Sequence, residues 1–196
     1  MRTKFVEVID DFLDKSYFDF IVNTVMCEDD FPWYYSDDST YPDPETYSIN
    51  GDVRPTQGFS HVLVRNDKTT CRAGDLLYPV ALKIKSYLGA KEVIRLRADL
   101  TLQNPNGAVH GPHVDYPGEF HYSSILYLNE TDGNTIIFNE RDTGTQVNGS
   151  NISNFTVKET IQPKPNRLVV FDGRYIHSGC SPIEYKCRKL LNSNYR

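Results

Sequence analysis

Two periodicities divide this 196-residue chain. In its first part, Phe18, Ile21, Val22 and Val25 recur at helical spacing, which predicts a helix over about 15–26 with those four on its buried stripe. Asp14 or Ser16 stands where a capping side chain is wanted. A second helix is expected from Ala73 or Gly74 to Leu88, with Gly89 as its C-terminal stop. Ahead of both, Val6 to Phe12 reads as a short strand and turn. From residue 91 the pattern shortens to strands, over 93–103, 122–129, 135–139, 155–161, 168–172 and 189–195. Asp132-Gly133 marks one turn between them, and Asn166 after Pro163 and Pro165 marks another. Many short strands after two early helices imply an α+β fold: a double-sheet β barrel of the jelly-roll type, with N-terminal helices buttressing one sheet.

Two stretches follow neither period. Residues 28–60 hold Pro32, Pro42, Pro44 and Pro55 among the aromatics Phe31, Trp33, Tyr34, Tyr35, Tyr41 and Tyr47, which argues against regular elements there. Those aromatics either form a packed loop over the core or wall a substrate entrance. Residues 141–154 are polar and glycine-containing, and are expected to form a mobile loop. With no internal repeat, a single domain spanning 1–196 is the simplest organisation.

Composition narrows the classes of function. The net charge of −5 and pI near 5.5 leave no electrostatic footprint for nucleic acid or an anionic membrane. No apolar stretch approaches the ~20 residues of a membrane-spanning helix. The four cysteines (Cys27, Cys71, Cys180, Cys187) lack the CxxC spacing of a zinc knuckle or redox pair. The first residues contain no apolar leader, and acids interrupt them early, so a cytoplasmic protein with reduced thiols is expected.

The chemistry concentrates at His113-Val114-Asp115 and at a distant histidine, His177, in the run Phe171-Asp-Gly-Arg-Tyr-Ile-His177-Ser-Gly. Residues i and i+2 of a strand project to the same side. A His and a carboxylate so placed reach one ion together, and a third ligand completes a 2-His-1-carboxylate facial set with open positions for substrate and oxygen. Of the five histidines (His61, His110, His113, His121, His177), only His113 is followed two residues later by an acid. For His177 the plainer reading is a buried histidine hydrogen-bonded to nearby Asp172. His110 and His121 flank the motif and suit supporting or exposed roles. Arg97, Asp99 and Thr101 alternate on one face of the preceding strand, where they would line a cavity, while Arg167 and Arg174 read as surface or structural charges.

Four segments in order resemble the Fe(II)/2-oxoglutarate-dependent oxygenases, in particular the prolyl-4-hydroxylase-like group. They are His110-Gly-Pro-His113-Val-Asp115-Tyr; Tyr122-Ser-Ser-Ile-Leu-Tyr127-Leu-Asn129 with Asp132-Gly-Asn-Thr-Ile-Ile-Phe138; Pro163-Lys-Pro-Asn-Arg167-Leu-Val-Val-Phe171 running on to His177; and Arg188-Lys-Leu-Leu-Asn192-Ser-Asn-Tyr. The chain departs from the family pattern at Asn134 and Asn166, where glycine is usual, and at Ser123, where threonine is. Val8-Ile-Asp-Asp-Phe-Leu is similar to the family's opening. The resemblance implies a double-stranded β-helix core and Fe(II), 2-oxoglutarate and O2 as cofactors, and it admits ascorbate. His113, Asp115 and His177 would bind the metal. Arg188 would pair with the distal carboxylate of 2-oxoglutarate, with Lys186 or Lys189 as its substitutes, and Tyr127 and Asn192 would assist.

The implied reaction is hydroxylation of an unactivated C–H in a peptide (prolyl) or small-molecule substrate, coupled to conversion of 2-oxoglutarate to succinate and CO2. Two other classes fit a β barrel with this motif. A cupin-type metalloenzyme would not need Arg188, and a non-enzymatic binding module would bind no iron. A zinc hydrolase would need a general base for which the chain offers no motif. Oligomeric state has no signature in the sequence. Substrate choice is expected to reside in residues 28–60 and 141–154.

Overall fold

The computed structural model describes residues 5–27, 31–37, 57–142 and 155–196. Expectations for the remainder of 28–60, including Tyr41 and Tyr47, and for nearly all of the 141–154 loop lie outside the described residues. Eleven strands and two helices are found among those described. They are β1 (Val6–Ile9), α1 (Lys15–Phe20), β2 (Tyr34–Ser36), β3 (Gly58–Arg65), β4 (Lys68–Thr69), α2 (Arg72–Leu88), β5 (Val93–Leu102), β6 (Tyr122–Tyr127), β7 (Thr135–Arg141), β8 (Val157–Ile161), β9 (Leu168–Asp172), β10 (Tyr175–Gly179) and β11 (Cys187–Tyr195).

The strands form two antiparallel sheets. The larger runs β1-β9-β6-β11-β5-β3-β2, with β4 paired to β3, and the smaller runs β10-β7-β8. One face of the large sheet carries Leu63, Leu96, Ala98, Leu126 and Leu191 against Leu77, Val80, Ala81 and Ile84 of α2. The other face looks into the barrel, where Ile125, Tyr127, Val169, Phe171 and Leu190 pack with Ile137, Ile161 and Tyr175 of the small sheet. β9 is buried at every position: Leu168 and Val170 join the helix-side core while Val169 and Phe171 join the barrel interior. That double burial explains the apolar run Leu168–Phe171. Each such side chain contributes about 1.5–3 kcal/mol when fully withdrawn from water. This is the double-stranded β-helix with helical buttress that the sequence pattern implies.

Three expectations need correction. The first helix keeps α geometry only through Phe20. Ile21–Val25 then forms a π-helical turn closed by Met26 N–H donating to the Ile21 carbonyl at 2.9 Å. The wider turn aligns residues five apart, so Met26 joins the buried stripe and Val22 is only partly covered. Asp14 takes the N-cap position but its side chain makes no capping bond. Second, residues 28–60 are not free of regular structure, because Tyr34–Ser36 pairs with Gly58–Ser60 at the edge of the large sheet. The β-favouring tyrosines outweigh the nearby prolines there. Third, α2 begins at Arg72, capped by the thiol of Cys71, which accepts from Gly74 N–H at 3.3 Å. A Cβ at Gly74 would strike the Leu63 carbonyl oxygen, so glycine lets the helix approach β3.

Asn166 accounts for one departure from the family pattern. It lies at φ 62° after Pro165, and Arg167 N–H donates to the Lys164 carbonyl at 3.0 Å, an arrangement of the type II kind that wants glycine or asparagine at that place. Unlike glycine, Asn166 also clamps Leu13, accepting from its N–H at 2.9 Å and donating to its carbonyl at 2.7 Å. Asn166→Ala is therefore expected to cost about 2–4 kcal/mol, through lost bonds to buried groups plus left-handed strain. Asn166→Gly should recover roughly 1 kcal/mol of that by relieving the strain. Urea unfolding of both variants checks this, and equal losses would contradict it.

Candidate active site

The site is built where the two sheets face each other. His177 sits on β10, just after a bulge between Tyr175 and His177 that re-aims the strand. The outer edge of β10 is covered by the segment 108–113. Ser181 N–H donates to Ala108 O and His110 N–H to Gly179 O, both at 2.9 Å, and His113 and His177 exchange a reciprocal pair of backbone bonds at 2.9 Å. His113 was expected on a regular strand together with Asp115. Instead it forms an isolated bridge and Asp115 lies in the bend that follows. Pro112, which has no N–H to give a ladder, explains the irregularity.

The bend carries Asp115 across to the large sheet. There Ser123, Asn194 and Arg95 are directly opposite one another on β6, β11 and β5. Arg95 Nη2 donates to Asp115 Oδ1 at 2.8 Å, while Ser123 Oγ (2.9 Å) and Asn194 Nδ2 (2.8 Å) donate to Oδ2. Burial opposes the charge on Asp115, but Arg95 and the neighbouring imidazoles outweigh it and hold the carboxyl well below the usual range.

Both histidines are steered by their own chain. His113 Nδ1 donates to the Gly111 carbonyl and His177 Nδ1 to the Tyr175 carbonyl, each at 3.0 Å. That fixes the tautomer and leaves Nε2 as a lone-pair donor. Burial, with help from nearby His177, pushes His113 down to about 3, so its ring is neutral at physiological pH. His177 is 3 % exposed and its Nε2 has no hydrogen-bond partner, although it lies 3.8 Å from Asp115 Oδ2. One ligating atom from each of His113, Asp115 and His177 falls within 4.8 Å of the others. The neutral His113 imidazole, the orphaned buried Nε2 of His177 and one ionised carboxylate are a donor set that fits a divalent iron. Asp172, the plainer partner considered for His177, is occupied elsewhere by Arg174 and Arg141.

The cavity beside these residues is lined by Arg97, Asp99, Thr101, Ile125, Leu190 and Asn192 from the large sheet, and by Thr135 and His110. Arg188, 5 % exposed, also opens into it. Its Nη2 donates to Thr135 Oγ1 at 2.6 Å, and the Tyr127 hydroxyl shares that same oxygen at 2.6 Å. Among the described residues Arg188 has no carboxylate partner. Asn192 shares its face of β11 but accepts from Arg95 at 3.3 Å, nearer the Asp115 end. His110 contacts Ser181 Oγ at 3.2 Å, and His121 is buried with Nδ1 on the Glu119 carbonyl. Neither belongs to the three-residue cluster. Arg167 pairs with Asp10, as its reading as a structural charge anticipated. Sequence reasoning missed Arg95 and Asn194. The signal that would have found them is alternation: Arg95 shares the face of Arg97 and Asp99, and Asn194 that of Arg188 and Asn192.

Fold and site together define a metal-dependent oxygenase barrel, and comparison with known proteins gives the family. Residues 100–196 match the 2OG-Fe(II) oxygenase superfamily, and the chain belongs to it as an Fe(II)/2-oxoglutarate dioxygenase using O2. No curated protein matches the sequence. Among solved structures, the chain is similar to a Pseudomonas putida prolyl-4-hydroxylase (16% identity, TM-score 0.56, 99% of this chain and 94% of that one). It is similar also to a Trichoplax adhaerens prolyl hydroxylase in complex with a hypoxia inducible factor oxygen degradation domain peptide fragment (14%, 0.62, 98% and 84%). A third is the epimerase SnoN in complex with Fe3+, alpha ketoglutarate and nogalamycin RO (12%, 0.60, 99% and 79%). These likenesses concern the fold.

Arg95 stabilises a buried carboxylate whose folded pKa lies below its unfolded value. That contribution is present above the ordinary carboxylate pKa and disappears as pH falls through the folded one. In chelator-treated protein, Arg95→Met should lower stability at pH 7 by about 3 kcal/mol, as for a buried pair losing one partner. The gap from the parent should narrow below pH 4. Denaturant melts at pH 7 and pH 3 test it, and a gap that widens in acid would contradict the assignment.

Proposed function

We propose that His113, Asp115 and His177 hold Fe(II), that Arg188 seats the distal carboxylate of 2-oxoglutarate, and that the enzyme hydroxylates an unactivated C–H of a peptide (prolyl) or small-molecule substrate. The observation that carries this reading is Arg188: a buried guanidinium with no carboxylate among the described residues, opening into the cavity shared with the three donor atoms. A buried charge is costly until it is paired, and a guanidinium presents a fork matched to a carboxylate. Thr135 fixes the orientation of that fork, and Tyr127 buttresses Thr135. Lys186 and Lys189, the alternatives for this role, are not on the cavity wall.

When bound, the iron with 2-oxoglutarate and O2 supplies the oxidising power that converts C–H to C–OH as the cosubstrate becomes succinate and CO2. The chain's part is positional. Asp115 stays ionised because Arg95 faces it. The two imidazoles keep Nε2 available because backbone carbonyls hold their Nδ1 protons. The apolar Ile125 and Leu190 limit water between the metal donors and Arg188. A prolyl hydroxylase with a peptide fragment and SnoN with a small molecule share this scaffold, which supports both substrate classes. The order of motifs shared with prolyl hydroxylases favours hydroxylation over epimerisation.

Anaerobic titration of the Fe(II)-protein with 2-oxoglutarate tests the assignment through the visible charge-transfer band of the chelate. The parent should show it. Arg188→Ala should weaken 2-oxoglutarate at least tenfold with iron retained, while His177→Ala should abolish the band. A band indifferent to His177, or an Arg188 variant with unchanged affinity, would sink it. Succinate release with peptide and amino-acid libraries then separates the substrate classes.

A further inference from the structure

On the opposite face of the large sheet from the iron site, the structure places a second reactive pair. His61 projects from β3 into the helix-side core, 7 % exposed, and its Nε2 lies 3.4 Å from Cys71 Sγ. Cys71 is the N-cap of α2, and its sulfur accepts the Gly74 N–H at 3.3 Å. The rings of Phe31 and Tyr34 pack around the imidazole, with centroids at 5.4 and 5.1 Å. Beside the thiol opens a cavity of about 610 Å³, walled by Phe20, Val25, Pro32, Ala73 and Leu76.

We infer that Cys71 is a nucleophilic thiol activated by His61, and that this second cavity admits a low-molecular-weight disulfide with which Cys71 forms a mixed disulfide. Three features converge. The imidazole Nε2 is within reach of the S–H, as a base must be to activate a thiol. The start of a 17-residue helix offers an N–H and the positive end of a dipole to the developing thiolate. The cavity gives the reagent an apolar wall next to the sulfur. Burial lowers His61, keeping its ring neutral and able to accept a proton. Two other cysteines differ: Cys27 donates its S–H to the Thr24 carbonyl, and burial pushes the Cys180 thiol up.

The step balances without a further oxidant. Cys71 gives its proton to His61 Nε2, and the thiolate attacks one sulfur of the small disulfide. The Cys71–S bond forms as the reagent's S–S bond breaks. The leaving thiolate takes the proton from His61 and departs as a thiol. The protein thiol is oxidised to a mixed disulfide and half of the reagent is reduced. The product loses the Sγ contact that caps α2 at Gly74.

The test is competitive labelling of the whole, folded protein with a substoichiometric amount of the aromatic disulfide 5,5′-dithiobis(2-nitrobenzoate), the labelled cysteine being read by peptide mass spectrometry. Cys71 should take the label at least tenfold faster than Cys27, Cys180 or Cys187. His61→Asn should slow Cys71 about tenfold, leave the other three unchanged, and move its rate–pH profile toward that of a free thiol. A labelling order in which Cys71 is not the fastest overturns the inference, and it needs no variant. An unchanged Cys71 rate in His61→Asn also overturns it. Should that variant fail to fold, the parent's own rate–pH profile decides: an inflection no lower than that of a free cysteine refutes activation.

Discussion

Two hydrogen bonds, from His113 N–H to the His177 carbonyl and back, hold the centre of this protein together. They are the smallest possible piece of antiparallel sheet, yet they join residues from distant parts of the chain. They set the two imidazoles side by side with ring centroids 4.4 Å apart. Had the pairing continued as a regular strand, Asp115 would have stayed with the small sheet. Gly111 and Pro112 interrupt it, and the chain crosses to the row formed by Ser123, Asn194 and Arg95. The cluster therefore spans both layers of the barrel, with its histidines on one and its carboxylate moored to the other.

The electrostatics of the interior are deliberately unequal. Asp115 is satisfied three times over, and the charge on Arg97 is met by Asp99 at 2.6 Å. Among the described residues Arg188 meets the Thr135 hydroxyl and the Tyr127 ring and no carboxylate. A buried guanidinium thus opens into the cavity, while the carboxylate beside the two imidazoles is fixed in its ionised form. A low-dielectric barrel makes such asymmetry consequential, because unpaired charge is costly there and solvent screens little of it.

Much of this was legible in the sequence. Six strand periods from residue 93 onward fell close to observed elements, since half-buried strands must alternate and the doubly buried run Leu168–Phe171 must be apolar, but β10, which carries His177, was not foreseen. His113, Asp115, His177 and Arg188 were named from motif and spacing, and the fold brings the first three within reach of one ion while Arg188 opens into the same cavity. What escaped were features decided by tertiary context. The π turn at Ile21–Val25 answers to the shape of the core against which Met26 packs. β2, β3 and β4 had no counterpart in the sequence pattern, and β2 pairs with the start of β3 because an edge was available for the tyrosines. Arg95 and Asn194 carry no motif of their own. They matter only because sheet register sets them in one row under Asp115. Cys71 and His61 likewise look ordinary in sequence, and meet only because α2 lies tight against β3 at Gly74.

The steering of each imidazole by the carbonyl two residues before it has a consequence for how such a protein changes over time. The hydrogen bond that aims each ring is made inside a three-residue window, Gly111–His113 in one case and Tyr175–His177 in the other. The rest of the chain has only to lay two short windows next to each other, a demand on backbone path that many different cores can meet. The barrel walls, and with them the shape of whatever the cavity admits, can therefore change without disturbing the bonds that aim either ring.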